Sequence, residues 1–141
     1  MSLAPAVAVA VVFIWLGMVL AISFLEAPLK FRAPGVTLQI GLGIGRLVFR
    51  ALNAGEVILA VAILTALAAG SSSASVTVAI AAAVVVLVAQ LVLVRPGLTR
   101  RSDAVLAGQD APRSHAHYAY VALEAAKVIA LLLGGILLLA S

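Results

Sequence analysis

Apolar residues fill most of the chain in four long runs, which short polar segments separate. The first 25 residues carry no charged side chain, and none stands between Glu56 and Arg95. Since a helix needs roughly 20 apolar residues to cross the hydrocarbon layer, the runs predict four transmembrane helices. We place these helices at about residues 4–25, 42–69, 76–94 and 117–140.

Proline and glycine indicate where the predicted helices end, because both residue types interrupt regular helix. Pro28 and Pro34-Gly35 fall in a predicted first loop, residues 26–45. Arg95-Pro96-Gly97 is predicted to stop the third helix. A polar loop with a partly helical centre is expected after it, over residues 95–116.

Two of the predicted helices begin with a stripe of polar side chains on one face, at intervals of three and four residues. The stripe of the second helix comprises Arg46, Arg50, Asn53 and Glu56. The stripe of the fourth helix comprises His117, Tyr120, Glu124 and Lys127. Counting from the predicted helix ends, both stripes reach roughly 9 to 10 Å into the hydrocarbon layer.

Charged side chains at that depth are costly and usually functional, so the two stripes form the candidate site. Gln90, near the same end of the third helix, adds a further polar side chain. We predict that the site binds or transports a small polar or ionic solute between helices two and four, in the inner half of the membrane. The arginines would hold an anionic group, while His117 and the carboxylates would exchange protons.

A buried ion-pair network is the alternative interpretation of the same residues. Glu56 with Lys127 and Glu124 with Arg50 would then neutralise one another and fix the helix register in a structural membrane subunit. The number of polar groups favours a ligand site, because one pair would suffice to fix register.

No metal site is predicted, although His117, Glu124 and Glu56 could supply nitrogen and oxygen ligands. The neighbouring cations would compete for the carboxylates, and His115 and His117 point to different sides of a helix. The chain has no cysteine, and its sequence indicates no particular cofactor or reaction.

Composition and charge fix the class of protein. Of the residues, 65% are hydrophobic and 10% charged, whereas soluble domains carry about 25% charged residues. We therefore predict an all-α, four-helix transmembrane bundle that forms a single integral membrane domain, residues 1–141. Its Ala/Gly/Val-rich helix faces favour association into a homo-oligomer.

The net charge of +4 comes from basic residues that flank the apolar runs. This distribution indicates contact with anionic membrane lipid and no nucleic-acid partner. By the positive-inside rule, the first and third loops are cytoplasmic and both termini lie outside. The protein is thus expected to be a multi-pass protein of the cell (inner) membrane.

Three short motifs resemble the transmembrane-protein-205-like family of small four-helix membrane proteins. They are Trp15-Leu16-Gly17, Ala27-Pro28 followed by Phe31, and His117 at the start of the last helix. The resemblance spans most of the chain and implies a role in transport or resistance.

Arg46, Asn53 and Glu56 resemble the arginine, asparagine and glutamate motif of the membrane-associated eicosanoid and glutathione metabolism family. Members of that family have four helices and external termini, form trimers and bind glutathione between subunits. The resemblance implies that these three residues bind glutathione in a transferase-like enzyme. Arg50 is one residue off the family's second arginine, and the tyrosine-rich and arginine-rich part of the family's fourth helix is only faintly repeated.

Overall fold

Four long helices make up the computed structural model, which describes all 141 residues. We label them α1 (Leu3–Lys30), α2 (Leu38–Ala69), α3 (Ala74–Leu106) and α4 (His115–Ala140). The chain contains no strand, and each helix is long and apolar enough to cross a membrane. The predicted all-α, four-helix transmembrane bundle is therefore confirmed, while the side on which the termini lie stays a prediction.

The four helices form a closed ring, in which each helix packs against the two helices beside it. α1 packs against α2 and α4, α3 packs against α4, and the last part of α3 (Arg95–Leu106) packs against α2. α1 and α3 are therefore diagonal to each other, as are α2 and α4. Side chains from all four helices form the apolar core and are fully inaccessible, among them Val12, Ile63, Ile80 and Leu131.

The two ends of the bundle differ. Both chain termini and the turn between α2 and α3 meet at one end, where Ala4, Ser73 and Ser141 line the same small depression. The connections at the other end, residues 31–37 and 107–114, are longer. We call this the loop end, and it carries most of the charged side chains.

Each of the diagonal helices α1 and α3 contains a π-helical segment toward the loop end. These segments are Leu20–Glu26 and Gln90–Val94. A π-helical segment inserts an extra residue into a turn and often accompanies a functional site. Here the segments contribute Ser23 and Gln90 to the buried polar interior.

Two helix ends predicted from proline are wrong. Pro28 lies inside α1, in the final segment Ala27–Lys30, and Arg95-Pro96-Gly97 does not stop α3, which continues to Leu106. Both prolines occupy the first or second position of an α-helical segment that follows a π-helical one. Proline is tolerated there, because its missing N–H would have no regular partner at the start of a segment.

The glycine-rich start of α2 allows the end of α1 to pack directly on the α2 backbone. A Cβ atom on Gly41 would overlap the ring of Phe31, and one on Gly45 would lie 3.0 Å from Nζ of Lys30. α2 begins at Leu38, four residues before the predicted start, with the Thr37 hydroxyl accepting the first-turn N–H of Ile40. The packing of Lys30 and Phe31 on the two glycines brings the end of α1 to the polar part of α2.

Candidate functional site

Lys127 is the centre of a buried polar network. Its Nζ forms ion pairs with Glu56 and, at 2.6 Å, with Glu124, and it donates a hydrogen bond to Oε1 of Gln90 at 2.8 Å. Gln90 Nε2 in turn donates to Glu124 at 3.2 Å. None of these four side chains is more than 1% exposed. The three ammonium hydrogens thus have three acceptors, so Lys127 needs no further partner.

Both carboxylates of the network accept additional hydrogen bonds. Glu56 accepts from Nε1 of Trp15 at 2.8 Å and from Nδ2 of Asn53 at 3.1 Å. Glu124 accepts from the Ser23 hydroxyl at 2.6 Å. Because buried charges are stable only when they are paired and hydrogen-bonded, these donors explain how two carboxylates persist at this depth. The network is complete without a ligand.

Arg95 joins the network from the loop end. Its Nη2 donates to Oδ1 of Asn53 at 2.8 Å, and its guanidinium carbon lies 4.8 Å from the centre of the Tyr120 ring. Glu56, Glu124 and Lys127 are fully buried and together carry one negative charge, whereas Arg95 is only partly buried. Arg95 therefore offsets the charge of the network from the cavity side.

A cavity of about 640 Å³ opens between the network and the loop end. It shares with the network the side chains of Ser23, Asn53, Arg95, Tyr120 and Glu124. The lysine and arginines that line it come from three helices and the connection before α4: Lys30, Arg46, Arg50, Arg95, Arg101 and Arg113. Glu124 is the only acidic residue of the lining. We call this space the basic cavity.

Four of the six cations in the basic cavity have no carboxylate partner. Lys30 pairs with Glu26 at 3.5 Å, and Arg46 pairs with Asp103. The cations that form no ion pair are Arg50, Arg95, Arg101 and Arg113. Arg50 and Arg113 are exposed, whereas Arg95 and Arg101 are partly buried. Since like charges repel more strongly away from water, an anion in the cavity would relieve repulsion most at Arg95 and Arg101.

One face of α3 presents hydrogen-bonding groups to the cavity. Arg95, Thr99 and Ser102 stand at i, i+4 and i+7, which places them on the same side of the helix. The Nε of Arg95 and the Oγ of Ser102 are buried without a hydrogen-bond partner. Neither atom has accessible surface even with the cavity open, so both lie behind the cavity wall and not on the surface that a ligand would meet.

The nine residues predicted from the sequence are divided between the network and the cavity. Glu56, Gln90 and Lys127 belong to the network alone. Arg46, Arg50 and His117 line the cavity alone, and Asn53, Tyr120 and Glu124 belong to both. The sequence predicts one site that contains all nine residues. In the structure they divide instead between a self-contained network and the cationic cavity beside it.

One of the two predicted ion pairs is present. Glu56 pairs with Lys127, but Glu124 pairs with Lys127 as well and not with Arg50. Lys127 lies three residues after Glu124 on the same helix, within easy reach. Arg50 is exposed at the cavity wall, where its charge stays partly hydrated.

The sequence-based prediction missed Trp15, Ser23 and Arg95. Trp15 and Ser23 are isolated polar groups in an otherwise apolar helix, and neither belongs to a polar stripe. Arg95 falls in the predicted loop of residues 95–116, but α3 continues through it, so Arg95 lies within two turns of Gln90. A hydrogen-bonding group in an uncharged span is the signal that could have identified Trp15.

No group of three or more His, Asp or Glu residues lies close enough together to hold a metal ion.

The structure gives no support to glutathione binding by the motif residues of α2. Glu56 is fully inaccessible, Asn53 donates to it and accepts from Arg95, and Arg46 pairs with Asp103.

In comparisons with known proteins, no family model, no curated protein and no solved structure matches the chain. The two family resemblances therefore stay predictions. The function has to be inferred from the geometry of the basic cavity and the network.

Proposed function

We propose that the basic cavity binds a small anionic solute at the cytoplasmic side of a membrane. The observation that carries this proposal is the set of unpaired arginines, Arg50, Arg95, Arg101 and Arg113, around one cavity. Guanidinium groups bind phosphate and carboxylate through paired, charge-assisted hydrogen bonds. The cavity volume of about 640 Å³ falls within the range of small-molecule sites.

The network supports the cavity without binding the ligand itself. Lys127 has all of its hydrogen bonds inside the chain, so a ligand gains nothing from reaching it. The network instead fixes Asn53, Tyr120 and Glu124, whose outer surfaces line the cavity. Such supporting hydrogen bonds hold a binding site in one geometry.

Packing beyond the network favours binding over passage through a single chain. Val12, Ile63, Ile80 and Leu131 are fully inaccessible and close the bundle on the side of the termini. The cavity is therefore open toward the loop end and blocked toward the other. Association into a homo-oligomer and residence in the inner membrane remain predictions from the sequence.

Charge-matched double variants test the proposal. The variant Arg50→Gln/Arg113→Gln removes two cavity cations that form no ion pair. The control variant Arg32→Gln/Arg100→Gln removes two exposed cations outside the cavity. Inorganic phosphate should raise the thermal unfolding temperature of the purified protein and of the second variant in neutral detergent. The first variant should bind phosphate at least about tenfold more weakly, since a hydrogen bond to a charged group contributes about 1.5–3 kcal/mol.

Two results would overturn the proposal. If phosphate stabilises Arg50→Gln/Arg113→Gln as strongly as the unaltered protein, the cavity arginines do not bind the anion. If the control variant loses the same amount, the effect comes from net charge and not from the cavity.

A further inference from the structure

One wall of the basic cavity is apolar. Phe24 and Ala27 of α1, and Phe31 directly after its end, line it at i, i+3 and i+7, and this spacing places them on one side. The stripe starts beside Ser23, at the level of the network, and runs roughly 10 Å to the end of the helix. We call these three residues the α1 stripe.

The opposite wall is polar and cationic. α1 and α3 are diagonal in the bundle and do not pack on each other. Arg95, Thr99 and Ser102 of α3 therefore stand across the cavity from the α1 stripe. The cavity is thus divided between a side that favours hydrocarbon and a side that favours an anion.

The apolar lining extends beyond α1 and is incompletely buried. Leu38 of α2 and Val121 of α4 also line the cavity. Phe24, Leu38 and Val121 are 42%, 48% and 46% exposed. A ligand with an alkyl chain would gain affinity by burying apolar surface on this wall, and a wholly hydrophilic anion would not.

We propose that the ligand of the basic cavity is a phosphate monoester that carries an alkyl chain, an inference that rests on the anion site proposed above. Its phosphate lies against Arg50 and Arg95, and its chain lies along the α1 stripe. Phosphate suits the cationic side because its several oxygens can accept hydrogen bonds from more than one guanidinium group, and Arg50 and Arg95 both line the cavity. An anionic membrane lipid presents the same chemistry, and basic pockets between transmembrane helices recognise lipid headgroups.

The chain-length dependence of binding tests this inference. Calorimetric titration of the full-length protein in neutral detergent would compare methyl phosphate with butyl phosphate, which differ only in methylene groups. A buried methylene contributes about fourfold to affinity, so butyl phosphate should bind at least about tenfold more tightly. Equal affinity of the two esters would overturn the alkyl-chain inference but leave the anion site intact.

A pair of leucine variants on α2 localises the chain. Leu38→Ser should reduce the ratio of the butyl phosphate affinity to the methyl phosphate affinity, because it removes apolar surface from the cavity wall. Leu47→Ser, at a residue that is 66% exposed and outside the cavity, should leave both affinities unchanged. Equal effects of the two substitutions would contradict a chain on the cavity wall.

The remaining outcomes separate the two proposals and the two sources of the ligand. If both esters bind Arg50→Gln/Arg113→Gln as tightly as the unaltered protein, or neither binds at all, the anion site itself is wrong. Displacement of butyl phosphate by phosphatidic acid in phosphatidylcholine nanodiscs would support the inference with a lipid as the source. Chain-length dependence without such displacement would support it with a water-soluble alkyl phosphate as the source.

Discussion

Removal of the Lys127 charge should be the most damaging single change in the buried network. Lys127→Met leaves Glu56 and Glu124 fully buried without the cation that both of them contact. Breaking a buried ion pair by removing one partner costs about 3–5 kcal/mol. We expect Lys127→Met to lower the free energy of unfolding by that amount.

Removal of the Glu56 charge should cost less. In Glu56→Gln the side chain keeps its shape and can still accept from Trp15, while Lys127 and Glu124 remain as a balanced pair. The expected loss is about 1.5–3 kcal/mol, the contribution of a hydrogen bond to a charged group. Since Lys127→Met already removes the main partner of Glu56, the double variant should be no less stable than Lys127→Met alone.

A double-mutant cycle measures this coupling directly. Unfolding of the four proteins by sodium dodecyl sulfate in mixed micelles, followed by circular dichroism, gives each free energy. The coupling between Lys127 and Glu56 should be at least about 1.5 kcal/mol, because the smaller single effect disappears. An ordinary interhelical hydrogen bond in a membrane contributes only about 0.6 kcal/mol, so a coupling no larger than that would refute the buried ion pair.

Leu138→Ala supplies the control for the cycle. Leu138 is buried on α4, but it lies eleven residues after Lys127, about 16 Å along the helix axis. Its substitution should destabilise by about 2–5 kcal/mol through the cavity it leaves. Its effect should add to that of Glu56→Gln within about 0.5 kcal/mol, as expected for distant sites.

Two further predictions concern the walls of the cavity. Gly43→Ala makes only ordinary contact and should stabilise by about 0.5–1 kcal/mol, because alanine favours helix over glycine. Gly41→Ala should lack this gain, since its new methyl group overlaps the Phe31 ring and must displace it. Equal shifts in the thermal unfolding temperature would contradict the close approach of α1 and α2. Ser23→Ala should lower the free energy of unfolding by about 1.5–3 kcal/mol, because Glu124 loses a charge-assisted hydrogen-bond donor. The same unfolding titration in detergent measures this loss. A loss below about 0.5 kcal/mol would show that the hydrogen bond is not formed.

The number of helices and the common level of Glu56 and Lys127 in the bundle could be predicted from the sequence. Run length determines whether a segment can span the hydrocarbon layer, and the helical period brings Asn53 and Glu56 onto one face. For the same reason the stripe of α4 indicated that Lys127 lies at the depth of Glu56. These features depend on spacing along a single helix, which the sequence contains.

The helix ends and the partition of the polar groups could not be predicted in the same way. Pro28 and Pro96 read as helix breakers, because nothing in the local sequence reveals the π-helical segments that precede them. The choice of Lys127 over Arg50 as the partner of Glu124 depends on the rotation of α2 relative to α4. That rotation is set by packing among all four helices, which no single stripe determines.

The central claim is that an anion binds in the basic cavity and not at Lys127. A crystal structure of the protein grown in a neutral lipid phase with saturating butyl phosphate tests it most directly. We predict phosphate density within hydrogen-bond distance of Arg50 and Arg95, alkyl density along the α1 stripe, and an unbroken network around Lys127. Phosphate density at Lys127, with the ion pair to Glu56 opened, or a cavity that holds only solvent, would contradict it.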